Sequence, residues 1–443
     1  MFNSIKRAII LAGGRGSRLG GLTSFGPGMR FGNMPKATLP VVGKPNITRI
    51  IEQVNKQCGI NDFHVSSHYM AGDIISVLER TDFESPDIKI RHCIRDKFEN
   101  TGRAIKDIIF KEPAYRYLDD YFMVIPGDVS FSNANINDFL VKFNKAASLN
   151  LNIVAGMAFV IRPASEMIRQ FPSAVINENG VVERIVEPLH SMADVEAMFK
   201  NNGFVHPAMQ AFWSQTGEMG IPLSTAIWIF NKNVFSEIPE PESRYEHDIG
   251  KYILPKLGGR MWGHIFPEAV EGRELLRSFY DLNSPEYFYR AQWSLIRTSH
   301  KLIPGIYNPA LNSWMEDRVE IRGQVSNSVI ANMVNIGRGS RVSHSVIGYG
   351  CKIEGDAEIA NSVLLPFTYV NVGRSREKVK RISNSIVGGK IRGGTFLDAR
   401  HIINFAPVIN RAFAIPNLDG YVEISDLNIN DGDIMFCKGA FKK

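Results

Sequence analysis

Two spacings of apolar residues alternate through the first part of the chain. The run AIILAGG (8–14) is short, continuous and apolar, and it stops at paired glycines, as a buried strand entering a turn does. In NITRIIEQVNKQCG (46–59), Ile47, Ile50, Ile51 and Val54 fall on one helical face, and Gly59 ends the pattern. DFHVSS (62–67) reads as a strand and AGDIISVLER (71–80) as a helix. IKIRHCI (88–94) and YFMVIPGD (121–128) are further strands, the second ending at Gly127-Asp128. Strands alternating with helices predict an α/β domain: a Rossmann-like mixed, mainly parallel sheet with helices on both faces. Such sheets bind ligands at the carboxyl ends of their strands, where the glycine turn and Asp128 fall.

The period changes near residue 303. β-Branched residues then recur about every five or six positions, at Val319, Val325, Ile330, Ile336, Val342, Ile347, Ile353 and Ile359, with small residues between them. This pattern predicts a left-handed parallel β-helix of hexapeptide repeats, each coil stacked on the last. NVGRSREKVKR (371–381) interrupts the pattern as a loop, and ISNSIVGGKIRGG (382–394) resumes it. The expected division is an α/β domain over 1–300, a β-helix over 301–400 and a C-terminal tail or cap over 401–443.

Composition narrows the class. Of 443 residues, 44% are hydrophobic, enough for ordered cores, and no apolar run reaches the roughly 18–20 residues of a membrane helix. The N-terminal apolar run is too short for a secretory signal and lacks a cleavage site, so the chain reads as cytoplasmic. Cys58, Cys93, Cys351 and Cys437 show no CxxC pairing and read as free thiols. The net charge is +6, yet the basic residues are scattered, which argues against a nucleic-acid surface. Ordinary surface charge is the plainer reading, with small phosphorylated ligands open as another.

The stretch GGRGSR (13–18) matches neither the phosphate-binding P-loop nor the dinucleotide fingerprint. A glycine-rich turn nevertheless lets backbone N–H groups approach phosphate oxygens, and Arg15, Arg18 and Lys36 add cations that suit a triphosphate.

With LAGGRGSRL (11–19), LT (22–23) and PKATLPVVGKPNITRII (35–51), the chain resembles the sugar-1-phosphate nucleotidyltransferases. VIPGDVSF (124–131), VINENGVVERIVEP (175–188), STAIWIF (224–230), HDIGKYILPKL (247–257) and FYDLNSPEYFYRAQWSLI (279–296) match later motifs in order. YNPALNSW (307–314) and the repeats that follow resemble the ADP-glucose pyrophosphorylase branch most, with the GDP-mannose pyrophosphorylases sharing its plan.

The resemblance implies an enzyme that joins a nucleoside triphosphate to a sugar 1-phosphate and releases pyrophosphate. It implies that Leu11, Ala12, Gly13, Gly14, Gly16, Ser17, Asn100 and Thr101 bind the nucleotide, and that Arg18 and Lys36 are catalytic cations. It implies Mg²⁺ held by Asp128 and Asp281, and sugar hydroxyls held by Glu187 and Ser224. It also implies a homo-oligomer, dimer or tetramer, and an anionic allosteric effector. Arg374, Arg376, Lys378, Lys380 and Arg381 form a candidate anion site, with a solvated loop as the alternative.

Three departures from the family pattern stand out. Asn100 occupies a place where glycine is expected; asparagine tolerates positive φ, which would preserve the turn. VEPLH (186–190) keeps Glu187 but lacks the lysine that should hold the sugar phosphate, leaving Arg184, His190 or a cation from another loop as substitutes. The segment before Lys36 is longer than in the family and holds Arg30, which suggests a lid or a subunit contact over 24–34. Together, the substitution at Asn100 and the missing lysine keep a catalytically weak regulatory paralogue that binds nucleotide-sugar open as an alternative. A GDP-mannose or UDP-sugar pyrophosphorylase is another, and an acyl transferase using His344 is a more remote one.

Overall fold

The computed structural model describes residues 5–16, 19, 34–95, 100–112, 115, 121–132, 134–150, 152–164, 173–186, 193, 206–236, 248–266, 269–271, 274–276, 279–298, 303–371, 381–383, 386–387, 390–392, 396–398 and 422–423. The chain divides into two compact units. The first is Met1–Gly14 with Ile47–Phe279, and the second is Arg15–Asn46 with Tyr280–Lys443.

The first unit is built on a nine-stranded sheet. Its elements are β1 (Arg7–Leu11), α1 (Asn46–Cys58), β2 (Asp62–Ser67), α2 (Ala71–Glu79), β3 (Lys89–Ile94), α3 (Thr101–Lys111), β4 (Tyr121–Pro126), α4 (Ile136–Leu149), β5 (Ala155–Pro163), β6 (Ser173–Ile176), β7 (Val181–Val186), α5 (Pro207–Thr216), β8 (Gly220–Asn231) and β9 (Met261–Ile265). The strand order is β3-β2-β1-β4-β8-β5-β9-β7-β6. β3, β2, β1 and β4 run parallel. β8 enters antiparallel to β4 and β5 and begins the mixed half of the sheet.

The sequence pattern accounts for these elements. Ile47, Ile50, Ile51 and Val54 are all buried, and Gly59 closes α1 at φ +67°. A core of Ile9, Val124, Phe122, Met157, Phe159, Phe230 and Ile105 joins the strands to α3. Cys58, Cys93 and Cys351 are free, and burial pushes each thiol up to about 12, so they stay protonated and inert. Cys437 lies outside the described residues. Among the described residues, no helix is long and apolar enough to cross a membrane.

The second unit contains helix α6 (Pro285–Thr298) and a β-helix of three sheets. One sheet carries the two-residue strands Val329–Ile330, Val346–Ile347, Val363–Leu364 and Ile386–Val387, all parallel. Within each strand the two residues face opposite ways. Ile330, Ile347, Leu364 and Val387 fill the inside of the coil with Val325, Ile336, Val342, Ile353 and Ile359. Val329, Val346, Val363 and Ile386 point outward and pack with Leu282, Phe288, Ala291 and Leu295.

A ladder of buried serines pins successive coils. The N–H of Ser328 donates to Ser313 Oγ at 3.0 Å, Ser345 N–H to Ser328 Oγ at 3.1 Å, and Ser362 N–H to Ser345 Oγ at 3.1 Å. Each of the last three hydroxyls donates in turn to a carbonyl two residues back in its own coil. Ser345→Ala removes the acceptor that the Ser362 N–H uses and the hydroxyl that bonds the Ser343 carbonyl, which keeps only its bond from the Asn361 N–H. It is expected to cost about 2 kcal/mol, read as a lowered urea midpoint.

His264, on β9, is buried against Phe139, Trp262 and Phe266. Burial pushes its imidazole down from 6.5 to about 4, with Asp138 only partly opposing the shift. The unfolded chain takes up this proton first, so stability is full above pH 6.5 and falls as pH drops towards 4. Denaturation midpoints measured across that window should fall less steeply, by about one proton, in His264→Gln.

Candidate active site

The carboxyl edge of the parallel strands gathers the first candidate residues. Leu11 ends β1 level with Ser66 of β2 and Pro126 of β4. The Leu11 carbonyl accepts from the Gly127 N–H at 2.8 Å, and the Ala12 N–H donates to the Ser66 carbonyl at 2.8 Å. The turn of Gly13 and Gly14 therefore springs from a root fixed on both sides. Gly127 and the half-buried Asp128 form the neighbouring turn, between β4 and the short strand Val129–Phe131.

The two glycines meet their surroundings differently. A Cβ at Gly13 would sit 3.6 Å from His68, an ordinary contact, and a Cβ at Gly14 would meet nothing within 4 Å. Neither has positive φ, whereas Gly16, which belongs to the second unit, has φ +66°. The fold itself therefore asks for glycine at 16 and makes no such demand at 14. At 14, what glycine offers is an exposed backbone N–H that an incoming group can approach closely.

Asn100 stands immediately before α3 at φ −65° and ψ 157°, extended backbone, so no positive φ has to be tolerated there. Its carbonyl accepts from Ala104 N–H at 3.1 Å, which starts the helix, and Thr101 is exposed in the first turn. Ser224 lies on β8 at a bulge. The pairing with β5 breaks between Ser224 and Trp228, Ala226 takes φ +56°, and Ser224 Oγ accepts from the Ala226 N–H at 3.1 Å. β8 pairs antiparallel with β4 only as far as Trp228, opposite Val124, so the bulge lies towards the Asp128 end of β4.

His68 and Arg95 belong to the same edge and were not singled out from the sequence. His68 Nδ1 is 2.8 Å from the Arg95 carbonyl, and Arg95 Nη2 donates to Asp107 of α3 at 3.0 Å. Their sequence signal is positional: each is the first residue beyond a parallel strand's carboxyl end. Ser17, Arg18 and Glu187 lie outside the described residues. So do Arg30, His190, Arg374, Arg376, Lys378 and Lys380, whereas Arg184 is exposed on β7 and Arg381 is half-buried in a coil strand.

Lys36 and Asp281 both belong to the second unit and are ion-paired. Lys36 Nζ lies 3.1 Å from Asp281 Oδ1, and Asn283 Nδ2 donates to Asp281 Oδ2 at 2.9 Å. Lys36 is buried in a single 3-10 turn, Lys36–Thr38, held by Thr38 Oγ1 donating to the Pro35 carbonyl at 3.0 Å. Asp281 and Asn283 precede Ser284, whose Oγ accepts from Tyr287 N–H at 3.1 Å as the cap of α6. The fully buried Gln292 completes the arrangement. Its Oε1 accepts from Val42 N–H at 2.5 Å, and its Nε2 donates to the Pro40 carbonyl at 3.2 Å. Val42 has φ +49°, a strained value for a β-branched residue, and this grip helps to hold it. Among the described residues, no group of three or more His, Cys, Asp or Glu converges as a metal cage.

Residues 7–266 match the family model described as nucleotidyl transferase. The chain belongs to the nucleotidyl transferase family. Residues 311–392 of this nucleotidyltransferase match the model described as GlmU-like, C-terminal hexapeptide. A curated relative, the glucose-1-phosphate adenylyltransferase of Rhodopirellula baltica, is 25% identical over 395 residues, spanning 83% of this chain and 79% of that protein. Among solved structures, HddC from Yersinia pseudotuberculosis, complexed with GMP-PN, is 20% identical, with a TM-score of 0.43. The match covers 65% of this chain and 99% of HddC. A second structure of HddC matches with the same values.

The two glycines of the loop make opposite predictions for this nucleotidyltransferase. Gly14→Ala should melt at the wild-type temperature yet bind nucleoside triphosphate at least about tenfold more weakly, because its methyl group occupies open space beside the backbone. Gly16→Ala should lower thermal stability by about 1–2 kcal/mol, the cost of a Cβ in the left-handed region. Calorimetry and thermal melts of the two variants check both.

Proposed function

We propose that this nucleotidyltransferase joins a nucleoside triphosphate to a sugar 1-phosphate, giving a nucleotide-sugar and pyrophosphate, with ATP and glucose 1-phosphate as the leading pair. The observation that carries this reading is the turn at Gly13 and Gly14. It is rooted between β2 and β4, its Gly14 meets no neighbouring atom of the chain, and it lies at the strand edge that also holds Asp128. The relative from Rhodopirellula baltica, by its name a glucose-1-phosphate adenylyltransferase, supports the choice of pair.

In this reaction an oxygen of the sugar phosphate attacks the α-phosphorus in line, and the bond to the β-phosphate oxygen breaks as pyrophosphate leaves. No protein nucleophile is needed; positioning and charge neutralisation supply the catalysis. Backbone N–H groups of the glycine turn bind phosphate oxygens, and Leu11 and Ala12 fix the root of that turn. Asn100 and Thr101 contribute from the start of α3. Arg18 neutralises the leaving pyrophosphate, and Lys36, oriented by Asp281, faces the reacting phosphate. Ser224 and Glu187 bond sugar hydroxyls.

The candidate ligands for Mg²⁺ are Asp128 and Asp281. Both offer hard carboxylate oxygens, and one or two carboxylates together with substrate phosphates are what Mg²⁺ ordinarily takes, so the donor set fits the ion without a cage of protein ligands. When bound, Mg²⁺ supplies charge neutralisation at the phosphates. Asp281 already holds Lys36 and Asn283, so it serves two ends: orienting the lysine and offering an oxygen to the ion. A homo-oligomer and an anionic effector complete the proposal. The regulatory alternative draws on two departures from the family pattern, Asn100 and the lysine missing after Glu187.

The decisive experiment is a matrix of the common nucleoside triphosphates against glucose 1-phosphate, mannose 1-phosphate and other sugar 1-phosphates, with pyrophosphate release measured in Mg²⁺. Robust turnover on one pair is expected. Nucleotide-sugar binding without turnover on any pair would establish the regulatory reading instead. Asp128→Asn should abolish turnover while its melting temperature stays at wild type. Retention of most of the activity would remove Asp128 from the metal assignment.

A further inference from the structure

A cavity of about 860 Å³ opens within the second unit between α6 and the corners of successive β-helix coils. Its size suits a small-molecule site. Four aromatic side chains form its walls: Tyr289 and Trp293 from α6, and Tyr307 and Trp314 from the first coil. The rings of Tyr289 and Trp293 have centroids 5.7 Å apart at 71°, and those of Tyr307 and Trp314 4.8 Å apart at 49°, so several aromatic faces and edges are presented together.

The coil corners add a polar rail. Asn312, Asn327, His344 and Asn361 each line the cavity, one per coil, and each has left-handed φ between 46° and 49°. The repeat explains the arrangement. Every one of them precedes a buried serine of the ladder, so the serine turns inward and its neighbour turns out at the corner. Parallel strands rise about 4.8 Å from coil to coil, which spaces the rail like rungs. Tyr307 Oη donates to Asn312 Oδ1, and Asn312 Nδ2 donates to Asn327 Oδ1. Among the described residues, Asn327 Nδ2, the His344 ring and the Asn361 amide make no side-chain hydrogen bond and remain available to a ligand.

The charge of the lining selects the ligand class. The described lining has one guanidinium, Arg297, with no lysine and no carboxylate. A nucleotide's phosphates call for several cations, and a purely apolar partner would leave the amide rail unsatisfied. A pyranose ring matches both features. Its faces are rich in C–H groups that stack on aromatic rings, and its rim carries hydroxyls that pair with amides, which donate and accept together. We propose that this cavity binds a neutral oligosaccharide, with sugar faces on the aromatic walls and hydroxyls on Asn327, His344 and Asn361. The site uses no residue assigned to nucleotide transfer, so it stands or falls separately from the catalytic reading.

The test titrates the full chain with maltoheptaose, cellohexaose and mannohexaose, and with AMP as an anionic control, using calorimetry and the fluorescence of Trp293 and Trp314. At least one oligosaccharide should bind at micromolar to millimolar concentration, and AMP should not compete. Tyr307→Ala, which removes a wall, and Asn361→Gly, which keeps the left-handed corner, should each weaken binding about tenfold with melting temperature and nucleotide transfer unchanged. Absence of binding across the three sugars would overturn the proposal, as would saccharide binding indifferent to both variants. It would equally be overturned if these variants abolished AMP binding, or self-association of the chain, and moved no saccharide affinity.

Discussion

One hydrophobic cluster decides how this chain is put together. Leu19, Leu39, Val41 and Val42 come from the signature segment, Phe288, Ala291 and Leu295 from α6, and Val329, Val346, Val363 and Ile386 from the outer face of the β-helix. All are buried, and each of the leucine, valine, isoleucine and phenylalanine side chains contributes about 1.5–3 kcal/mol. The consequence is that a motif continuous in sequence is shared between two compact units. Gly13 and Gly14 remain with the nine-stranded sheet, whereas Lys36 and the turn at Val42 are packed with the repeats. Gln292 reinforces that grouping by satisfying two backbone groups of the segment from the middle of α6.

The same packing gives the Lys36–Asp281 pair its character. A lysine buried to 7% exposure needs a counter-charge, and Asp281 provides it from just before the α6 cap. Fixed at both ends by short turns, the pair is oriented without any ligand, which is the condition that the role proposed for Lys36 requires. Residues whose sequence separation is 245 thus act together through neighbouring turns.

The β-helix shows how one repeat performs several tasks. In each coil an apolar residue fills the lumen, its neighbour in the two-residue strand covers the outside against α6, and a serine ties the coil to the one before. The residue before that serine is left at the corner with positive φ, where asparagine is well tolerated. His344 fits this rule as one member of the corner series, which accounts for its place without any acyl transfer.

Much of this was legible in the residues themselves. The strand at 7–11, the helix at 46–58 with its glycine stop and the spacing of the coil interior all follow from local periodicity, because burial of one face imposes its period on the sequence. The glycine turn and Asp128 could be placed at one sheet edge because parallel strands bring their carboxyl ends together. Other features had no local trace. Asn100 was expected to need a left-handed turn and instead sits in extended backbone before α3. The importance of Gln292, the roles of His68 and Arg95, the pairing of Lys36 with Asp281 and the aromatic cavity depend on residues far apart in the chain. The sequence alone determined which segments fold as strands, helices and coils, since those are set by neighbours within a few residues. Which side chains share a core or a charge was settled by the folded path alone, since burial and ion pairing act between whatever surfaces that path brings together.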